Sequence, residues 1–124
     1  MMDWRELQIG IHAFADAFNA AHFFDAHEIL EDLWRAQLRA SPTKKHLQGL
    51  VQLAVAFHHE SRGNLRGARS VLGRALRNLT GAETSFPAID LDHLRADIAD
   101  WQKHLAGAAP RPAPPQIGPR KPAP

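Results

Sequence analysis

The chain has 124 residues and a mass of 13.8 kDa, which predicts one domain with a single hydrophobic core. Cysteine is absent, and this excludes disulfide frameworks, cysteine-ligated zinc and thiol nucleophiles. No apolar run approaches the roughly 20 residues of a membrane helix, and no signal-peptide pattern opens the chain. We therefore expect a cytoplasmic protein that does not bind a membrane.

Charge is segregated along the chain. Residues 1–34 hold seven acidic side chains against Arg5 alone, whereas residues 35–79 hold nine basic side chains against Glu60 alone. One interpretation is that neighbouring helices of opposite charge neutralise each other. The other is that the basic segment contacts nucleic-acid phosphates.

Apolar side chains recur at steps of three and four residues in five segments, at about 3–18, 22–37, 42–61, 65–79 and 91–106. Asp3, Asn64 and Asp90 are suitable N-caps, and Ser41 with Pro42 forms a start signal for the third helix. No segment alternates as a strand does. The sequence therefore predicts an all-α, five-helix bundle formed by residues 3–106.

The third segment is apolar around nearly its whole circumference, from Leu47 to Phe57. A helix of this kind is normally buried on all sides. We expect residues 42–61 to form the central helix of the bundle.

Residues 107–124 contain seven of the nine prolines. Such a segment does not form a helix, and we expect it to be a disordered tail. Pro112 and Pro115 match a minimal docking motif, although a solvated tail is the simpler interpretation.

Polar side chains interrupt the apolar faces of the second and third helices. His27 and Glu31 are one turn apart and can meet, while His58 lies among apolar positions of the central helix. Burial is costly unless these groups find partners, which Glu31 and Gln48 can supply across the interface. We expect a buried His/Glu/Gln cluster. His59 continues the line of Gln48 and Gln52 on the central helix. The other histidines are expected at the surface or its boundary: His12, His22, His46, His93 and His104.

This cluster permits two interpretations of function. As a hydrogen-bonded network, it fixes how two helices pack or binds a small ligand, which predicts a binding or scaffold domain. Alternatively, His27, Glu31 and His58 hold a divalent metal ion, with Glu28 as general base, which predicts a metal-dependent hydrolase. The sequence leaves open whether the protein is an enzyme.

A second alternative uses the arginine face of the fourth helix, where Arg62, Arg66, Arg69 and Arg77 are within reach of phosphates. No aromatic residues interleave with them, and residues 1–106 are almost neutral overall. A solvated face is therefore favoured over a nucleic-acid interface.

Three segments carry a resemblance to a known family: FFDAHEILEDLW at 23–34, LQGLVQLAVAFH at 47–58, and GNLRGA at 63–68. They resemble the bacterial family catalogued as domain of unknown function 309. The resemblance implies a small all-α bundle with a buried central helix and no established activity. It also marks seven signature positions: His27, Glu28, Glu31, Trp34, Gln48, Gly49 and His58. Gly49 has a structural explanation, because a glycine there lets another helix approach closely.

Overall fold

The computed structural model describes residues 3–122. Five α-helices follow one another in the chain: α1 Trp4–Asn19, α2 Phe23–Arg35, α3 Pro42–Ser61, α4 Leu65–Asn78 and α5 Leu91–Leu105. A single 3-10 turn, Ala82–Thr84, lies between α4 and α5. The all-α fold predicted from the sequence is confirmed, and each helix begins and ends within two residues of its predicted position.

The helix starts follow from local side chains. Asp3 accepts a hydrogen bond from the Glu6 amide at 2.8 Å, Asn64 from the Gly67 amide at 3.0 Å, and Asp90 from the amide three residues on at 3.0 Å. Each satisfies an amide that the first helical turn leaves without an internal partner.

The α3 helix is the centre of the bundle. Between residues 46 and 60 none of its side chains is exposed, and α2 and α4 pack along its length. Aromatic rings connect it to the other two helices: Phe57 lies 5.9 Å from Phe18 of α1 and 5.1 Å from Trp101 of α5, between ring centroids. The predicted central helix is confirmed.

Gly49 explains how closely α4 approaches α3. A Cβ at this position would lie 2.9 Å from Leu79 Cγ and 3.2 Å from the Ala75 carbonyl oxygen. Both distances are shorter than ordinary van der Waals contact, so the signature glycine is required by helix packing.

Residues 107–122 differ from the expected disordered tail. They form no helix, yet they follow a defined extended path across the bundle, with Pro115 and Ile117 buried. The reason is a set of hydrogen bonds to residues distant in sequence, including both backbone groups of Ile117 to Asn19. The last two residues of the predicted tail, 123 and 124, lie outside the described residues.

Within residues 3–122, no helix combines the length and the apolar character needed to cross a membrane.

Candidate functional site

His27 and Glu31 meet on α2, as their spacing predicts. His27 Nε2 lies 3.4 Å from Glu31 Oε2, and Arg35 Nη2 binds the other carboxylate oxygen at 2.9 Å. The side chains of His27 and Glu31 are 22% and 37% exposed, so the pair is half-buried rather than part of the core. The expectation of a buried cluster is corrected in this respect, since neither side chain of the pair is fully buried.

His58 lies at the same end of the α2–α3 pair but does not join the ion pair. The Phe24 ring contacts both imidazoles, with centroids 5.5 Å from His27 and 5.7 Å from His58. These three rings, with Phe23 and Val55, line a small cavity of about 180 Å³. The site at this end is therefore aromatic rather than a set of converging ligands.

The structure does not assemble the predicted metal centre. Across residues 3–122, no three histidine, aspartate or glutamate side chains converge as ligands of one metal ion. The ring of Phe24 contacts His58, and Glu31 is turned along its own helix toward Arg35. Glu28, the candidate general base, lies exposed on the outer side of α2.

Trp34 and Gln48 lie at the opposite end of the α2–α3 pair. Together they line a shallow groove of about 560 Å³, where the loop after α2 leads into α3. Lys44 Nζ lies 4.2 Å from the centroid of the Trp34 ring, a cation–π contact that fixes the ammonium group over the indole. Gln48, expected beside His27 and His58, is thus placed with Trp34 instead.

The groove is strongly basic. Arg39, Lys44 and Lys45 line it, together with the amide side chains of Gln48 and Asn78. Of the described residues, no aspartate or glutamate belongs to its lining. The arrangement therefore offers ammonium, guanidinium and amide donors to an anion, with no carboxylate in the lining to neutralise them.

The position of two of these cations is unfavourable for the helix itself. Lys44 and Lys45 occupy the first turn of α3, where the helix dipole disfavours positive charge, and no acidic residue is present in that turn. The Ser41 side chain makes no capping hydrogen bond to the first-turn amides. Helix stability thus gives no reason for the two lysines.

The arginine face of α4 is exposed to solvent. Arg62, Arg66, Arg69 and Arg77 are all exposed, and within residues 3–122 none of them forms an ion pair with a carboxylate. The predicted neutralisation by acidic helices therefore does not occur through direct pairs on this face.

His46 is buried, although the sequence predicted that it lies at the surface or its boundary. It is 5% exposed, and its Nδ1 lies 2.7 Å from the Oγ of Ser85, which is itself 2% exposed and donates to Thr43. Burial lowers the pKa of His46, against a smaller raising effect of a backbone hydrogen bond with Thr80. One signal in the sequence was available: His46 stands four residues before Leu50, on the buried face of α3.

A second polar contact joins α5 to the 3-10 turn. Arg95 binds both carboxylate oxygens of Glu83 at 2.8 Å and also donates to the Leu79 carbonyl at 2.7 Å. The hydrogen bonds from Arg95 lower the pKa of Glu83 to about 2. The contact connects the end of α4 to α5.

Comparison with known proteins matches residues 11–71 to the family described as "Domain of unknown function (DUF309)". An uncharacterised protein of Aquifex aeolicus is 32% identical over 84 residues, which cover 68% of this chain and 25% of that protein. The uncharacterised protein YpuF of Bacillus subtilis is 34% identical over 73 residues, which cover 59% of this chain and 41% of YpuF. The matches thus span less than half the length of either relative.

Proposed function

Because the chain belongs to the DUF309 family through residues 11–71, and this family has no described activity, we propose a function from the groove itself. The protein is a binding domain that holds an anionic, phosphate-bearing ligand between α2 and α3. The observation that carries the proposal is the convergence of Arg39, Lys44 and Lys45 on one groove with no carboxylate in its lining.

The size of the groove supports a small ligand. Its volume of about 560 Å³ is within the roughly 300–1,000 Å³ of typical small-molecule sites. Lysine ammonium and arginine guanidinium groups form short, charge-assisted hydrogen bonds with phosphate oxygens. Gln48 and Asn78 add amide groups at the same groove, which suit the remaining oxygens of a phosphate ester.

The family positions support the same location. Trp34 and Gln48 are signature positions of the family resemblance, and both line the groove. A half-buried tryptophan with a lysine held over its ring is a rigid wall against which a ligand can pack. An anion also offsets the unfavourable charge of two lysines in the first turn of α3.

The test is isothermal titration calorimetry of the full chain with inorganic pyrophosphate at low ionic strength. The Lys44→Ala/Lys45→Ala double variant is expected to bind pyrophosphate at least tenfold more weakly. A tenfold loss of affinity corresponds to about 1.4 kcal/mol, which is no more than the contribution of one hydrogen bond to a charged group. Because exposed charges are screened, added salt is expected to weaken binding to the unsubstituted chain.

The matched control is Arg66→Ala/Arg69→Ala, which removes the same charge from the exposed face of α4. It is expected to bind pyrophosphate within twofold of the unsubstituted chain. Loss of binding in this control, with the groove variant unaffected, would assign phosphate binding to α4 and reject the groove. The absence of any binding heat by the unsubstituted chain rejects the proposal outright.

A further inference from the structure

The C-terminal segment is held on the bundle in the way a protein holds a bound peptide. Asn19 of α1 uses both ends of its amide on the backbone of one residue: its Nδ2 donates to the Ile117 carbonyl at 2.9 Å, and its Oδ1 accepts from the Ile117 amide at 2.7 Å. Trp101 of α5 donates its indole N–H to the Ala113 carbonyl at 3.0 Å. These three bonds recognise an extended backbone and not any particular side chain.

Side-chain contacts add specificity at both ends of this segment. The Ile117 side chain is 5% exposed, and Pro115 is also buried. At the other end, Arg111 lies 5.1 Å from the Trp101 ring centroid and pairs with Glu60 at 3.2 Å. The segment is thus recognised by an aliphatic anchor, a proline and a basic residue.

The last part of the segment pairs with the loop before α5 as an added strand would. The Gly118 carbonyl accepts from the Asp90 amide at 3.0 Å, and the Arg120 amide donates to the Ala88 carbonyl at 2.8 Å. The amides that the bundle uses belong to Ile117 and Arg120, which are not prolines. Prolines at other positions of the segment, such as Pro115 and Pro119, therefore cost no hydrogen bond, and they favour the extended conformation before binding.

The segment leaves part of this surface unfilled. A cavity of about 350 Å³ remains between α1 and the segment, lined by Ile11, His12 and Asp16 on one side and by Ile117 and Pro119 on the other. If this groove only fastened the end of the chain, close packing against the segment without a cavity would make the folded chain more stable. The open cavity has room for a larger aliphatic or aromatic side chain than the segment provides.

We propose that this surface of α1 and α5, the strap groove, is a binding site for an extended, proline-rich segment of a partner protein, with residues 111–120 as its resident competitor. The partner segment carries an aliphatic residue at the position of Ile117, amide hydrogens at the positions of Ile117 and Arg120, and a basic residue six positions before the aliphatic one. This site is separate from the phosphate groove of α2 and α3, and all of its anchoring residues on α5 lie outside the matched family region.

The experiment uses the full chain with the Ile117→Asp substitution, which places a charge in the buried anchor position and releases the segment. The probe is a fluorescein-labelled peptide with the sequence of residues 109–120, followed by fluorescence polarisation. We expect saturable binding to the released variant and at least tenfold weaker binding to the unsubstituted chain. The difference arises because a tethered competitor acts at a millimolar effective concentration.

Two controls test the recognition itself. Adding Asn19→Ala to the released variant is expected to weaken peptide binding at least tenfold, since two hydrogen bonds to the peptide backbone are lost. A peptide carrying the Ile117→Asp change is expected not to bind. If the released variant keeps its helical circular dichroism but binds no peptide, or binds it independently of Asn19, the inference is overturned.

Hydrogen exchange on the unsubstituted chain covers the case in which Ile117→Asp fails to fold. The Ile117 amide is expected to exchange at least a hundredfold faster than the buried amides of α3, because the segment opens while the bundle stays folded. Exchange of Ile117 only through global unfolding would show that the segment is a fixed part of the core, and the inference would fail.

Discussion

Replacing His46 with glutamine is expected to change the pH dependence of stability. His46 is almost fully buried beside Ser85, and burial lowers its pKa, so it stays neutral in the folded chain near pH 7. In the unfolded chain an ordinary histidine takes up a proton below about pH 6.5. As the pH falls through that value, the unfolded chain binds a proton that the folded chain does not, and folding stability decreases.

The magnitude has an upper limit. One proton changes the free energy of unfolding by at most about 1.36 kcal/mol per pH unit. Glu83 and Arg95, the charged groups that act on His46 together with Lys45, keep their charges throughout this range, since the pKa of Glu83 is about 2. Between pH 7.5 and 5.5, His46 therefore contributes a loss of up to about 1.4 kcal/mol in the free energy of unfolding.

The assay is urea unfolding of the unsubstituted chain and His46→Gln at pH 7.5 and pH 5.5, followed by far-ultraviolet circular dichroism. At pH 7.5 the variant is expected to be about 1 kcal/mol less stable, through the weakened bond to Ser85. At pH 5.5 this difference is expected to narrow or vanish. The exposed histidines His12, His22 and His93 are common to both chains, so their contributions cancel in the difference between the two free energies of unfolding. A difference that is unchanged or larger at pH 5.5 would show that His46 does not stay neutral in the folded chain over this pH range.

Four further substitutions test other parts of the structure. Gly49→Ala is expected to destabilise the folded chain by about 1–2 kcal/mol despite alanine's better helix propensity, because the added Cβ meets Leu79. At Gly73 the atom nearest to an added Cβ is 3.7 Å away, so Gly73→Ala is expected to stabilise the folded chain by about 0.5–1 kcal/mol. In Glu83→Gln, the free energy of unfolding is expected to fall less between pH 4.5 and pH 2 than in the unsubstituted chain. The lowered pKa of the Glu83 carboxyl stabilises the folded chain above pH 4.5, and this contribution is lost as the carboxyl is protonated at lower pH. His27→Ala is expected to lower the free energy of unfolding by less than about 1 kcal/mol, the upper end for an ion pair that solvent still reaches.

Thermal and urea unfolding of each variant check these expectations. Stabilisation by Gly49→Ala would contradict the close approach of α4, and Gly73→Ala is its matched control. An acid-unfolding curve of Glu83→Gln that is identical to that of the unsubstituted chain would contradict the role of Arg95. If His27→Ala lowers the free energy of unfolding by several kcal/mol, His27 is a buried residue of the core and not part of a half-buried ion pair.

The helices were predictable because their signals are local. The α3 bounds, Pro42–Ser61, follow from a proline at the start and an apolar circumference, and Asn64 and Asp90 cap the next two helices as expected. The C-terminal segment was not predictable in the same way. Its composition correctly excludes a helix, but its order depends on Asn19, 98 residues away from Ile117.

The candidate site was predictable only in part. The spacing of His27 and Glu31 on one helix correctly placed them in contact. Contacts between helices depend on how far the two helices are shifted along each other, which a single sequence does not specify. This is why Gln48 lies with Trp34 and not with His58, and why His46 was misplaced.

The most direct test of the proposed anion groove is a two-dimensional nitrogen–hydrogen NMR titration of the full chain with pyrophosphate. The chain contains three tryptophans, and each gives its own indole signal: Trp4 is exposed, Trp34 lines the groove, and Trp101 is buried under the C-terminal segment. If the groove binds the anion, we expect a saturable shift of the Trp34 signal while the Trp4 and Trp101 signals stay in place. A Trp34 signal that does not move, or that moves only together with the other two, would contradict anion binding in the groove.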